Sequence, residues 1–172
     1  MADSGADLPK DLPALLDRMA AELRTLLGPW RDPVMIGLPK GGLWVAEALQ
    51  QRLKLNTPVG CLDISFHRDD FDRAGLAHDV QPSRLPFDVA DRCVVLVDDV
   101  LYTGRSIRAA LNEIFDYARP AAVKLAVLLD RGERELPIQP DVVGARIALP
   151  ENRHVKLTGP EPLGLQLVAR EP

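Results

Sequence analysis

The chain has 172 residues, 47% of them hydrophobic and 27% charged, which fits one ordinary globular domain, residues 1–172, with a full core. A net charge of −4 excludes a general nucleic-acid coat, which needs a surplus of basic residues, and leaves room only for a local basic face. No apolar run reaches membrane-spanning length and no signal-peptide pattern opens the chain, so the expectation is a cytoplasmic protein.

Met1 to Pro9 is small and polar and reads as a frayed terminus. From Asp11, the residues Leu15, Leu16, Met19, Leu23, Leu26 and Leu27 recur at helical spacing until Gly28-Pro29 stops them, as expected of a helix covering a sheet face. Pro33 to Gly37 reads as a short strand, Leu38-Pro39-Lys40-Gly41-Gly42 as a Gly-bearing loop, and about Leu43 to Leu53 as a helix with Ala46 and Leu49 inward. Spacing alone leaves that loop open between a plain strand-to-helix turn and an anion cradle. Val59 to Phe66 predicts another strand, and from His67 to about Pro86 runs a polar segment of the kind that is functional or disordered. Taken singly, Arg68 and Arg84 in it read equally well as solvated charges. Cys61 and Cys93 lie in apolar runs, where free thiols act as small hydrophobes, and with His67 and His78 they show no metal-ligand spacing.

The stretch from Val94 to Arg108 organises the rest. A β-branched run from Val94 to Val97 predicts a strand buried on both faces, with Asp98 and Asp99 at its carboxyl end, where open α/β sheets bind ligands. After the turn, Ile107, Leu111 and Ile114 or Phe115 recur at helical spacing, so Thr103 to Ser106 forms the amino end of a helix, an anion site by geometry and dipole. An acidic pair after a strand can equally start a turn and cap a helix. Adjacent carboxylates nevertheless repel unless a cation or a hydroxyl-rich ligand relieves them. Ala118-Arg119-Pro120 breaks the chain, Val123 to Leu129 gives a buried strand ending in Asp130-Arg131-Gly132, and Pro140 to Ile147 leads through a further strand. His154 to Leu157 and Leu163 to Val168 are short alternating strands separated by Gly159-Pro160.

Asp-Asp-Val-Leu-Tyr-Thr-Gly-Arg, from Asp98 to Arg105, closely resembles the phosphoribosyl pyrophosphate loop of type I phosphoribosyltransferases, in the branch that joins pyrimidine-operon regulation to uracil phosphoribosyl transfer. Leu-Asp-Ile-Ser-Phe-His-Arg-Asp-Asp from Leu62 and Arg-Glu-Leu-Pro-Ile from Arg134 match runs of the same family, and the likeness extends from about Asp11 to Leu157. It implies an α/β fold of that type: a mostly parallel central sheet, helices on both faces and a small hood made by the last two strands. It further implies that Asp98 and Asp99 meet the ribose hydroxyls and, through water, substrate-bound Mg2+, with no direct protein ligand to the metal. Val100 and Leu101 lead into the substrate-binding stretch, and Tyr102, Thr103, Gly104, Arg105 and Ser106 hold the 5′-phosphate. Pro39, Gly41 and Gly42 face the pyrophosphate together with Lys40 and Arg68, the latter on a flexible loop that closes over substrate. Asp130 is a further substrate-binding residue, and Val142 and Val143 meet the base, Val142 packing on it and Val143 bonding to it. The family more often has Thr at the position of Lys40 and frequently Arg at that of Gly41.

The reaction so implied joins uracil to phosphoribosyl pyrophosphate and yields UMP and pyrophosphate in a homo-oligomeric enzyme. A UMP-sensing regulator that binds pyrimidine operon mRNA is the alternative from another class. A purine or orotate transferase shares the loop but fits Arg134 to Ile138 less well.

Overall fold

The computed structural model describes residues 7–65 and 82–169. Arg68, His67 and His78 of the polar segment lie outside the described residues. The elements are α1 (Leu12–Leu27), β1 (Val34–Gly37), α2 (Gly41–Leu53), β2 (Gly60–Cys61), β3 (Cys93–Leu101), α3 (Arg105–Tyr117), β4 (Ala122–Asp130), β5 (Val142–Arg146), β6 (Arg153–Thr158) and β7 (Gly164–Ala169). Asp11 caps α1, its carboxylate accepting the Ala14 N–H at 3.0 Å, and Gly28 closes the helix.

Five parallel strands form one sheet in the order β2-β1-β3-β4-β5. The continuous apolar character of β3 follows from burial on both faces. Val95 and Val97 join a core with Leu16, Met19 and Leu23 of α1 and Val45 and Leu49 of α2, whereas Val94 and Leu96 join a second core with Ile107, Ala110 and Ile114 of α3. Full burial of such a Val or Leu contributes roughly 1.5–3 kcal/mol. Both faces together therefore fix the sheet, and with it every turn at its carboxyl edge. The remaining strands, β6 and β7, pair antiparallel, and Val155 and Leu157 tie this hairpin to the α1/α2 core.

Several boundaries differ from expectation for local reasons. β3 runs on through Asp98 and Asp99 to Leu101, because each carboxylate accepts the N–H of the next residue and the ladder to β4 continues to Leu101 opposite Asp130. The strand expected from Val59 shrinks to Gly60 and Cys61. Its outer side bridges to Arg84, with Cys61 N–H donating to the Arg84 carbonyl at 2.8 Å and Arg84 N–H returning a bond at 2.7 Å. Cys61 and Cys93 are free and buried, and burial pushes both thiols up, as expected of small hydrophobes. No helix among the described residues is long and apolar enough to cross a membrane.

Candidate active site

Three turns meet at the carboxyl edge of the central strands. After β1, Leu38 still donates to the Val97 carbonyl at 3.0 Å; the chain then turns at Pro39 and Lys40, whose peptide bond is cis, and α2 starts at Gly41, two residues earlier than the sequence indicates. The glycines allow this early start. A Cβ at Gly41 would stand 2.2 Å from Asp99 Oδ2, and one at Gly42 would stand 2.7 Å from the Val97 carbonyl oxygen and 3.2 Å from Asp98 Oδ1. The amino end of α2 is thus pressed against the acidic pair, and the positive end of the helix faces Asp99. Lys40 is exposed at the N-cap position.

Each carboxylate of the pair is aimed by a local bond. Asp98 Oδ1 accepts the Asp99 N–H at 2.9 Å, and Asp99 Oδ1 accepts the Val100 N–H at 2.9 Å. Among the described residues, the charged residues that are buried are Asp98, 7% exposed, and Asp130, 6% exposed; both sit at the ends of the central strands. Buried carboxylates are rare without a compensating role, which distinguishes Asp98 from the acid of an ordinary turn, while Asp99 beside it is half-buried.

The second turn leads from β3 into α3. Gly104 has φ of 93°, a conformation that favours glycine, and Arg105 N–H donates to Thr103 Oγ1 at 3.2 Å. The first N–H groups of α3 have no intrahelical acceptor and point toward the loop, forming a cradle suited to a phosphate.

The third turn, residues 130–138, lies behind the second. Arg131 N–H donates to the Leu101 carbonyl at 2.9 Å, and its guanidinium lies 4.0 Å from the centre of the Tyr102 ring. A cavity of about 590 Å³ opens here at the ends of β4 and β5, lined by Asp130, Arg131, Arg134, Gln139, Arg146 and Ile147 among others. Asp130 Oδ1 pairs with Arg134 at 2.8 Å and accepts the Gly132 N–H at 2.9 Å. Burial alone pushes the Asp130 carboxyl up; bonds from Arg134 and the Gly132 N–H, with the charges of Arg134 and Arg146, outweigh it and hold the group below the ordinary carboxylate range. A depressed folded value means that the stabilisation is present above the unfolded value, near ~3.9, and is lost as pH falls through the folded one. The stability gap between the wild type and Asp130→Asn, measured by urea unfolding, is therefore expected to be constant near neutrality and to shrink below about pH 4. A gap unchanged down to about pH 2 would contradict this account.

The structure brings Pro39 to Gly42, Asp98 to Ser106 and Asp130 to one edge, but not Val142 and Val143. Val142 is 2% exposed in the α1/α2 core and pairs with Ala126, while Val143 pairs with Val127; the β5 residue that reaches Asp130 is Arg146. The Asp141-to-Gly144 run serves the sheet. Asp141 exchanges bonds of 2.8 Å with Leu125, a Cβ at Gly144 would meet Met19 Sδ at 3.0 Å, and Arg18 donates to the Gly144 carbonyl. Val142 and Val143 thus stand within the sheet, apart from the turns that carry the other expected site residues. Sequence reasoning gave no role to Arg134, which binds four loop carbonyl and carboxylate groups. Its signal was the run Arg134 to Ile138, but in a loop no periodicity assigns a direction to a side chain.

Residues 10–157 match the family described as Phosphoribosyl transferase domain. The chain is 58% identical over 160 residues to Bifunctional protein PyrR of Nitrosococcus oceani, covering 92% of this chain and 87% of that protein. It is 54% identical over 154 residues to Bifunctional protein PyrR of Pseudomonas paraeruginosa, covering 88% and 91%. A hypoxanthine-guanine phosphoribosyltransferase structure from Bacillus anthracis superposes with a TM-score of 0.62 at 19% identity, covering 80% of this chain and 77% of that one; at this identity the likeness concerns the fold.

Proposed function

The chain belongs to the phosphoribosyl transferase domain family and has the type I fold, and from that premise we propose that it joins uracil to phosphoribosyl pyrophosphate, releasing UMP and pyrophosphate. The observation that carries this reading is the contact of the acidic pair with a glycine-opened helix start on one side and its continuity with the Gly104 turn on the other. One ligand bearing a ribose, a 5′-phosphate and a pyrophosphate satisfies all three features. The Tyr102-to-Ser106 turn takes the phosphate, Asp98 and Asp99 accept hydrogen bonds from the ribose hydroxyls, and the Pro39-to-Gly42 turn faces the leaving group. The base lies in the cavity beside Asp130, where Arg131, Gln139 and Arg146 offer donors to the carbonyl oxygens of uracil.

In the reaction uracil N1 bonds to the anomeric carbon, the bond from that carbon to the pyrophosphate oxygen breaks, and the N1 proton of uracil passes to the departing pyrophosphate or to solvent. The transition state is oxocarbenium-like, so no covalent nucleophile is required of the protein. Its residues hold both reactants in line and offer N–H groups and cationic side chains where negative charge develops on the leaving group. Among the described residues no group of three or more His, Cys, Asp or Glu could cage a metal. Two adjacent carboxylates facing a phosphate cradle do suit Mg2+ held largely by substrate oxygens and water, which would neutralise pyrophosphate charge.

A turnover assay offering uracil, orotate, hypoxanthine and guanine with phosphoribosyl pyrophosphate tests the reading; uracil is expected to be the preferred base, and faster turnover of any other would overturn it. Lys40 stands at the pyrophosphate turn, so Lys40→Ala is expected to lower turnover and pyrophosphate affinity while leaving UMP binding intact. Wild-type steady-state kinetics in this variant would reduce Lys40 to a surface charge. The relatives are called bifunctional, and with the resemblance of Asp98 to Arg105 to the pyrimidine-regulating branch this favours a second reading, in which the chain also binds pyrimidine leader RNA. Such binding must overcome a net charge of −4 and so weaken steeply with salt, and a sensor must bind RNA differently with UMP than with phosphoribosyl pyrophosphate. We expect UMP to strengthen it. Filter binding at fixed salt that is indifferent to both nucleotides would remove the sensor.

A further inference from the structure

We propose that Arg134 is a positioning residue that couples the phosphate turn to the base cavity, so that filling either subsite tightens the other. The inference rests on the assignment of those two subsites in the proposed function. Arg134 is largely buried, its side chain 17% exposed, and its guanidinium bridges both subsites. Nη1 donates to the Tyr102 carbonyl at 3.0 Å and to the Gly132 carbonyl at 2.9 Å and pairs with Asp130 Oδ1 at 2.8 Å; Nε donates to the Ile138 carbonyl at 2.9 Å. The next two residues extend the same clamp. Glu135 and Leu136 donate their N–H groups to the Thr103 carbonyl at 2.9 and 3.2 Å.

Peptide geometry turns these bonds into control of the phosphate turn. In a trans peptide unit the carbonyl and the following N–H point in opposite directions within one rigid plane. Fixing the Tyr102 carbonyl therefore aims the Thr103 N–H away from Arg134, and fixing the Thr103 carbonyl aims the Gly104 N–H in the same way. Two consecutive donors of the phosphate turn are thus oriented from the side facing the cavity. Conversely, a phosphate that draws in those N–H groups rotates the same planes and pulls on Arg134, whose other partners, Asp130 and Gly132, line the cavity. A guanidinium suits this position because its planar fork serves several acceptors at once, whereas an ammonium is a single point of charge.

Coupling of this kind is reciprocal. Calorimetric titration of wild-type protein with uracil, alone and with saturating ribose 5-phosphate, is expected to show about 5-fold or greater tightening, and the converse titration the same factor. Arg134→Lys keeps a charge beside Asp130 but cannot span the four acceptors, so each ligand should still bind singly while the factor falls to about one. A purely structural residue would weaken both affinities without changing their ratio. Hydrogen exchange on the wild type supplies a measurement independent of any variant's folding: ribose 5-phosphate alone should slow exchange at the Gly132, Glu135 and Leu136 amides. An Arg134→Lys variant that retains the coupling factor, wild-type protein in which the two ligands bind independently, or unaltered exchange at those amides overturns the positioning role. If neither ligand binds the wild type, the assignment of the subsites fails, and the proposal with it.

Discussion

Asp98→Asn combined with Asp99→Asn is expected to leave the fold standing and to weaken phosphoribosyl pyrophosphate binding by about a hundredfold or more. The fold survives because the structural bonds of the pair need only an acceptor oxygen. The Asp99 N–H bond to Asp98 Oδ1 and the Val100 N–H bond to Asp99 Oδ1, both 2.9 Å, can each be made by an asparagine carbonyl. Binding suffers because an amide is a weaker acceptor for ribose hydroxyls and carries no charge opposite substrate-bound Mg2+. A lost charge-assisted hydrogen bond costs roughly 1.5–3 kcal/mol, and two of them exceed about 3 kcal/mol, where every 1.4 kcal/mol is tenfold. Calorimetry and a thermal melt on the same preparation check both halves. Unchanged affinity would remove the pair from the site; a collapsed melting temperature would make it a structural element of β3.

How much of this was legible beforehand depends on the range of the interactions involved. The order of elements was readable because burial on two faces forces apolar runs such as Val94 to Val97, and burial on one face forces the spacing of Leu16, Met19 and Leu23. The two main turns were readable because glycines and carboxylates stand at strand ends, where few other tasks call for them. The place of Val142 and Val143 in the sheet was not legible, because a local run carries no information about where along a strand its neighbour stops. Only the pairing of Ala126 with Val142 and of Asp130 with Arg146 shows that the run enters the sheet well before the ligand edge. The role of Arg134 was hidden for a related reason. Its acceptors, from Tyr102 to Ile138, come together only when β3 and β4 align in register.

The same register makes opposite predictions for two neighbouring glycines. Gly42→Ala is expected to be a stability lesion. Its Cβ would lie 2.7 Å from the Val97 carbonyl oxygen and 3.0 Å from Asp98 Cα, both backbone atoms of the central strand, so α2 and β3 must separate. Overpacking of this kind costs roughly 1–3 kcal/mol, which in a domain of this size lowers the melting temperature by roughly 2–12 °C. Gly41→Ala is expected to be a binding lesion instead. The three atoms nearest its Cβ all belong to the Asp99 side chain, Oδ2 at 2.2 Å, Cγ at 2.6 Å and Cβ at 3.0 Å, and rotation of the carboxylate relieves the two shortest contacts where a strand cannot move. That rotation breaks the bond to the Val100 N–H and turns Asp99 away from the ribose, so affinity for phosphoribosyl pyrophosphate should fall at least about tenfold, the loss of one charged hydrogen bond, with little change in melting. An arginine at this position, frequent in the family, would need the same displacement, so in this chain glycine at 41 and the observed pose of Asp99 form one unit. Melting curves and ligand titrations of the two alanine variants decide the matter. Equal effects of both substitutions on both measurements would mean that Asp99 does not reach the ligand from the pose seen here.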